Sequence, residues 1–254
     1  MSTTLILGMS HIRALSDALS DALSDARADS ETGSVQALNL RDHPKAFDRK
    51  GSRFLGAADM VEAPDLVCLT LAGNFHNIFC LMENAAKFRL GDPLLGTVPE
   101  AAADRPFVPR DLLRAHFDQR LDPVWTMQRA VHARFPAARF AHLSAPPPVF
   151  ALPALTEADL AEGGKKAMFQ FLAFDAAPAA LRLRIWGVQQ DLCREQAAMI
   201  GADFIEPPAA ALDGAGFLAA GFWTDDPTHG NAAYGRLVLD QIAARAVLQQ
   251  GAAA

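Results

Sequence analysis

Five short apolar runs, separated from one another by helix-like segments, constrain the fold of this 254-residue chain more than any other feature. The third run reads DLVCLTLA and lacks the polar–apolar alternation of a half-exposed strand, so it is typical of a central strand covered on both faces. Strands that alternate with helices form βαβ units and a parallel sheet. The sequence therefore predicts an α/β fold, a three-layer α/β/α sandwich around a parallel sheet of about five strands. The runs occupy residues 3–8, 35–40, 65–72, 138–144 and 202–206.

Helix-like patterns stand out at both ends of the chain. Between Ala14 and Arg27 the sequence repeats Leu-Ser-Asp-Ala three times. A four-residue repeat keeps its leucines along one face of a helix, so one amphipathic helix is expected there. Near the other end, Asn231 is a good N-cap for a last helix that runs to about Gln249.

The composition allows one domain spanning residues 1–254, because 51% of the residues are hydrophobic and a chain of this length can bury a large core. Two stretches rich in proline and aromatic residues, at about 91–135 and 146–180, interrupt the simple alternation. They are expected to elaborate the core. Phe107, Phe117 and Trp125 in the first stretch are candidates to wall a site, with a helical hairpin packed on the sheet as the alternative.

Charge and residue usage argue against several classes of partner. A formal net charge of −6 disfavours a nucleic-acid surface. No apolar run reaches the length of a membrane span, and the first run is too short for a signal peptide and has no basic region before it. Three cysteines without metal spacing suit a reducing compartment. A cytoplasmic location is therefore expected, while the oligomeric state is left open.

Polar side chains with a capacity for chemistry follow the strand-like runs. Ser10 comes just after the first run, Asn74 just after the third, and Asp226 and His229 stand before the last helix. Ligands of open parallel sheets bind at the carboxyl ends of the strands, where Ser10 and Asn74 are expected to lie. A hydroxyl, an amide donor and an acid–imidazole pair suit acyl transfer. The chain has neither a phosphate-binding GxxxxGK[ST] loop nor a GxGxxG after its first strand.

The order Gly8-Met9-Ser10, Gly73-Asn74 and Asp226-x-x-His229 resembles that of the SGNH hydrolases, the GDSL esterase/lipase family. The resemblance implies a flavodoxin-like sheet and hydrolysis of an ester through an acyl-enzyme on Ser10. It implies that His229 is the base and that Asp226 orients it. The oxyanion would be held by Asn74, by the backbone N–H of Ser10, and by a glycine N–H from Gly51 or Gly56.

The resemblance also implies the kind of substrate. In this family the acyl group is often small and the alcohol often a sugar, so a small acyl ester or an O-acetylated carbohydrate is expected, with no metal and no organic cofactor. His76 and His11 neighbour the proposed site residues and are candidate substrate contacts, with a structural role as the alternative. Two other functions stay open: a non-catalytic or acyltransferase relative that handles polysaccharide, and a metal-dependent hydrolase using His11, His76, His229 and Asp226.

Overall fold

A computed structural model describes residues 3–25, 34–48, 52–82, 89–91, 106–151, 177–224 and 228–248. Five parallel strands form its main sheet, in agreement with the five apolar runs. The strands of this sheet are β1 (Thr4–Gly8), β2 (Val35–Asn39), β3 (Leu66–Thr70), β6 (Arg139–Leu143) and β7 (Asp203–Ile205). A separate parallel pair is made by β4 (Arg89–Gly91) and β5 (Phe107–Pro109), which the sequence pattern did not indicate.

The described helices cover both faces of the main sheet. They are α1 (Ile12–Asp25), α2 (Arg110–Arg134), α3 (Ala179–Met199) and α4 (Ala232–Leu248), with a π-helical turn at Ile78–Met82 and 3₁₀ turns at Ala209–Ala211 and Ala220–Phe222. Both helices predicted at the ends of the chain, α1 and α4, are confirmed. No described helix combines the length and the apolar character needed to cross a membrane.

Alternate side chains of each central strand pack into two separate apolar cores, one on each face of the sheet. Ile6 and Cys68 point to the side covered by α1 and α4, and belong to one apolar cluster with Tyr234 of α4. Leu7 and Leu69 point to the opposite side, which is covered by α2. A third apolar cluster lies between α2 and α3. This two-residue periodicity is the property of a strand that lets one sheet support a helical layer on each face. The α/β/α prediction is therefore confirmed.

The strand order across the sheet is β2-β1-β3-β6-β7. Counted along the chain within this sheet, that order is 2-1-3-4-5, the flavodoxin-like arrangement. The chain passes from β1 outward to β2 and then returns to the other side of β1 to form β3. The switch point therefore lies between β1 and β3. Open sheets of this kind bind ligands in the crevice at the carboxyl ends of the two strands at that point.

Candidate active site

Ser10 lies in the turn between β1 and α1, at the carboxyl edge of the switch point. Gly8, the last residue of β1, pairs with Thr70, the last residue of β3. A Cβ atom on Gly8 would lie 2.4 Å from the Thr70 Cγ2, so any side chain at this position would displace Thr70. The side chain of Ser10 is partly exposed, and α1 begins two residues later. The free N–H groups of the first turn of a helix favour negative charge nearby.

Asn74 lies in the turn that follows β3. Gly73 precedes it with a φ of 56°, a left-handed conformation that glycine adopts without a Cβ penalty. The Asn77 N–H donates to the Asn74 carbonyl at 2.9 Å and closes the turn. This arrangement directs the Asn74 side chain toward the last loop of the site, where its Nδ2 lies 3.4 Å from His229 Nε2.

The loop that carries His229 is fixed from both sides. Trp223 and Gly230 form an antiparallel bridge around it. Asn231 then donates from its Nδ2 to the carbonyls of Gly221 and Trp223, at 2.9 Å and 3.0 Å. The Asn231 Oδ1 accepts the Tyr234 N–H at 3.1 Å, so this residue is also the predicted N-cap of α4. Asn231 thereby joins the loop before α4 to the helix itself.

The partners of the His229 ring indicate its tautomer. An amide nitrogen can only donate, so the Asn74 Nδ2 contact leaves His229 Nε2 as the acceptor with its lone pair toward the site. Nδ1 then carries the proton and donates to Thr228 Oγ1 at 2.8 Å. This is the tautomer that a histidine base requires. Sequence reasoning missed Thr228, although a hydroxyl residue directly before a candidate base was a signal that could have found it.

His11 brings the nucleophile loop against the base. Its ring lies 5.1 Å from the His229 ring, centroid to centroid, with the planes tilted by 56°. His11 is buried, and it directly follows Ser10 in the chain. The structure therefore brings three loops together at one edge of the sheet: the turn of Ser10 and His11, the turn of Asn74, and the loop of His229.

His76 is held by the protein instead of facing an open crevice. Only 2% of the residue is exposed. Its backbone N–H donates to Gln189 Oε1 at 2.7 Å, and its ring Nδ1 lies 3.2 Å from the same oxygen. Burial lowers the pKa of His76 to about 4, while the hydrogen bond with Gln189 works in the opposite direction. The role of His76 as a substrate contact stays a prediction, and the contacts seen are those of a residue that fixes the Asn74 turn.

Two of the predicted site residues, Asp226 and Gly51, lie outside the described residues. Their roles as orienting acid and oxyanion donor stay predictions. Gly56, the other candidate for the donor, is described and has a φ of 83°. Among the residues that the structure describes, no group of three or more His, Cys, Asp or Glu side chains is arranged to hold a metal ion.

The aromatic residues expected to wall the site differ in their positions. Phe117 and Trp125 are buried on α2, in the core between α2 and α3, so they do not line an open crevice. The prediction of an apolar wall is wrong for these two residues because residues 110–134 form one long helix packed against the rest of the fold. Phe117 instead contacts the ring of Phe75, the residue after Asn74, at 5.4 Å. Phe107 is exposed at the start of β5.

Comparison with known proteins gives structural similarity alone. The sequence matches no protein-family model and no curated protein. The structure is similar to an extracellular lipase from Streptomyces rimosus, with 18% identity, a TM-score of 0.49, and coverage of 96% of this chain and 100% of the lipase. It is also similar to a GDSL-like lipase from Bacteroides thetaiotaomicron, with 9% identity, a TM-score of 0.45, and coverage of 96% and 89%.

A third structure that the chain resembles is a carbohydrate acetylesterase from Sinorhizobium meliloti. The identity is 12%, the TM-score is 0.41, and the similarity covers 98% of this chain and 100% of the acetylesterase. The structures that this chain is similar to thus include an extracellular lipase, a GDSL-like lipase and a carbohydrate acetylesterase, all at low sequence identity.

Proposed function

We propose that this protein is a serine-dependent ester hydrolase that works through an acyl-enzyme. The observation that carries the proposal is the contact between Asn74 Nδ2 and His229 Nε2 at the carboxyl edge of the switch point, beside the turn that holds Ser10. A potential oxyanion donor and the nitrogen of a potential base thereby lie 3.4 Å from each other. Acyl transfer needs both groups within reach of one carbonyl carbon.

In the proposed reaction, Ser10 Oγ attacks the ester carbonyl carbon while His229 Nε2 accepts the hydroxyl proton. The carbonyl oxygen becomes an oxyanion, to which Asn74 Nδ2, the Ser10 N–H and the Gly51 N–H donate. When the intermediate collapses, the bond to the alcohol breaks and His229 returns the proton to the leaving oxygen. Water then enters by the same steps, releases the acid and restores Ser10. Asp226 would orient His229 together with Thr228, and would stabilise the charged form of the ring.

The substrate that we propose is a small acyl ester or an O-acetylated carbohydrate. All the proposed groups belong to the protein, and the reaction needs no electron transfer and no exchange of oxidation state. The proposed chemistry therefore requires no cofactor.

The proposal is tested by labelling with a fluorophosphonate and by hydrolysis of p-nitrophenyl acetate and of an O-acetylated sugar. The wild type should label and turn over, whereas Ser10→Ala should do neither and should keep its unfolding temperature. Ser16→Ala, which changes a serine in the second turn of α1, is the matched control and should behave like the wild type. Ser10→Ala retaining more than a few per cent of kcat would refute the serine mechanism, and labelling without ester turnover would favour an acyltransferase.

A further inference from the structure

Two adjacent glutamines on α3 are buried almost completely, with 0% of Gln189 and 2% of Gln190 exposed. A primary amide is expensive to bury unless its oxygen and nitrogen find partners. Gln189 finds partners for both atoms, whereas Gln190 finds them for its oxygen only, since its buried nitrogen has none among the described residues. The partners lie on different loops at the carboxyl edge of the sheet. Gln190 accepts from Ser144 Oγ at 2.9 Å and from the Ala145 N–H at 3.2 Å, after β6. Gln189 bonds to the turn after β3.

Gln189 holds the Asn74 turn on both sides of Asn74. Its Nε2 donates to the Gly73 carbonyl at 2.8 Å, directly before Asn74. Its Oε1 accepts the His76 N–H at 2.7 Å, two residues after Asn74. Because a backbone carbonyl only accepts and a backbone N–H only donates, these two partners define which end of the amide is oxygen and which is nitrogen. The amide therefore fits the turn in one orientation only.

The ring of His76 adds a third bond to the Gln189 amide, the second to its oxygen, through Nδ1 at 3.2 Å. The ring must carry its proton on Nδ1 to make this bond. Burial keeps the ring neutral at ordinary pH by lowering its pKa to about 4. The charge of the His76 ring therefore does not change over the pH range in which a histidine base can work.

We infer that Gln189 is a positioning residue, which acts through the Gly73 carbonyl and the His76 N–H to hold the Asn74 amide where the oxyanion forms. This inference rests on the proposed function. An oxyanion donor is effective only if it is aimed before the charge develops, and a misplacement of about 1 Å can lower a rate by roughly 10²-fold. Gly73 has a left-handed φ and, as a glycine, can adopt many backbone conformations. Without the bonds to Gln189, the backbone at the start of this turn could change its direction.

Gln189→Met and Gln190→Met make a matched pair for the test. Methionine has nearly the length of glutamine, so each variant removes hydrogen bonds without opening a large cavity. Each also leaves a buried backbone N–H without its side-chain partner, that of His76 or that of Ala145. Gln189→Met should lower the unfolding temperature more than Gln190→Met, because Gln189 is bonded at both ends of its amide, whereas the buried nitrogen of Gln190 has no partner among the described residues. Only Gln189→Met should lower kcat for p-nitrophenyl acetate, by about 10- to 100-fold with KM little changed. Equal losses of kcat in the two variants would overturn the inference.

A double-mutant cycle identifies the residue through which Gln189 acts. In an Asn74→Ala background the donor is already absent, so adding Gln189→Met should lower kcat by no more than about 2-fold further. Full additivity of the two losses would show that Gln189 acts elsewhere.

Amide hydrogen exchange separates this inference from the proposed function. If Ser10→Ala hydrolyses esters as well as the wild type, the serine mechanism fails. The effect of Gln189 on the turn can still be measured, because exchange at the His76 N–H should be faster in Gln189→Met than in Gln190→Met. If exchange at His76 is unchanged, Gln189 does not hold the turn, regardless of the activity of the variants.

Discussion

A histidine acts as a base only through the ring nitrogen that carries no proton, so the partners of both nitrogens of His229 decide what it can do. Asn74 Nδ2 faces Nε2, and Thr228 Oγ1 accepts from Nδ1. Without substrate, the Asn74 amide that is proposed to donate to the oxyanion contacts the proposed base, His229. A bound carbonyl oxygen would offer Asn74 a better acceptor, and would free Nε2 for the serine proton.

Asn74→Ala is expected to lower kcat by roughly 10²- to 10³-fold, the usual loss for one oxyanion donor. KM should change little, because the donor acts mainly when charge develops. Steady-state kinetics on p-nitrophenyl acetate provide the measurement. Asn77→Ala, in the same turn, is the control and should retain most of kcat. A raised KM with kcat unchanged would make Asn74 a contact to the ground-state substrate.

Thr228→Val removes the hydroxyl that accepts from His229 Nδ1 while keeping the shape of the side chain. One neutral hydrogen bond contributes about 0.5–1.5 kcal/mol, so kcat/KM is expected to fall by about 2- to 10-fold. Thr228→Ser keeps the hydroxyl and should restore most of the activity. If the valine and serine variants have the same kcat/KM, the hydroxyl does not orient the ring.

The crossing of α1 and α4 sets the distance between the turn of Ser10 and the loop of His229. Helix α1 begins just after Ser10, and α4 begins just after His229. At their crossing, a Cβ atom on Gly235 would lie 2.0 Å from the Ala14 carbonyl oxygen. The two helix backbones therefore touch, and any side chain at Gly235 would push the helices apart.

Gly235→Ala should destabilise the protein by about 1–3 kcal/mol, because overlap with a backbone atom outweighs the gain of about 1 kcal/mol from replacing a helical glycine. Ester hydrolysis should fall as well, since His229 would move relative to Ser10. Gly187→Ala is the matched control, because nothing lies within 4 Å of its added Cβ and the change should stabilise α3. Urea unfolding and kcat/KM test both variants, and equal stability of the two would contradict the role given to the crossing.

The elements differ in how far the sequence could predict them. The five strands, α1 and α4 carry their signal locally, in apolar runs and in the N-cap at Asn231. The close approach at Gly235 and the bonds of Gln189 join residues far apart in the chain, such as the 113 positions between Gln189 and His76. No local pattern encodes those pairings. The turn residues Ser10 and Asn74 were identified because each directly follows a recognisable strand.

For the whole molecule, two buried histidines link stability to pH. Burial lowers the pKa of His142 to about 4, with a smaller contribution from His132, and burial likewise lowers the pKa of His76 to about 4. An unfolded histidine has a pKa of about 6.5. Between these values the unfolded chain binds more protons, so stability rises with pH across that window and is lost as pH falls from about 6.5 toward 4.

The free energy of unfolding should therefore fall by up to about 3 kcal/mol per buried histidine between pH 7 and pH 4. Urea titrations at several pH values measure this loss. His142→Gln should flatten the pH dependence, even if it lowers stability at pH 7. His132→Gln changes a less buried ring on α2 and should leave most of the slope. If the free energy of unfolding of His142→Gln depends on pH as strongly as that of the wild type, His142 does not link stability to pH.

The contact between Asn74 and His229 joins residues 155 positions apart, and the turn that carries Ser10 lies earlier still. On the ribosome, the serine and the asparagine emerge long before the histidine, and α4 follows the histidine. Until α4 has docked on α1, Ser10 lacks His229, the base proposed for it. The proposed chemistry therefore begins only after His229 and α4 have been synthesised and α4 has packed against α1.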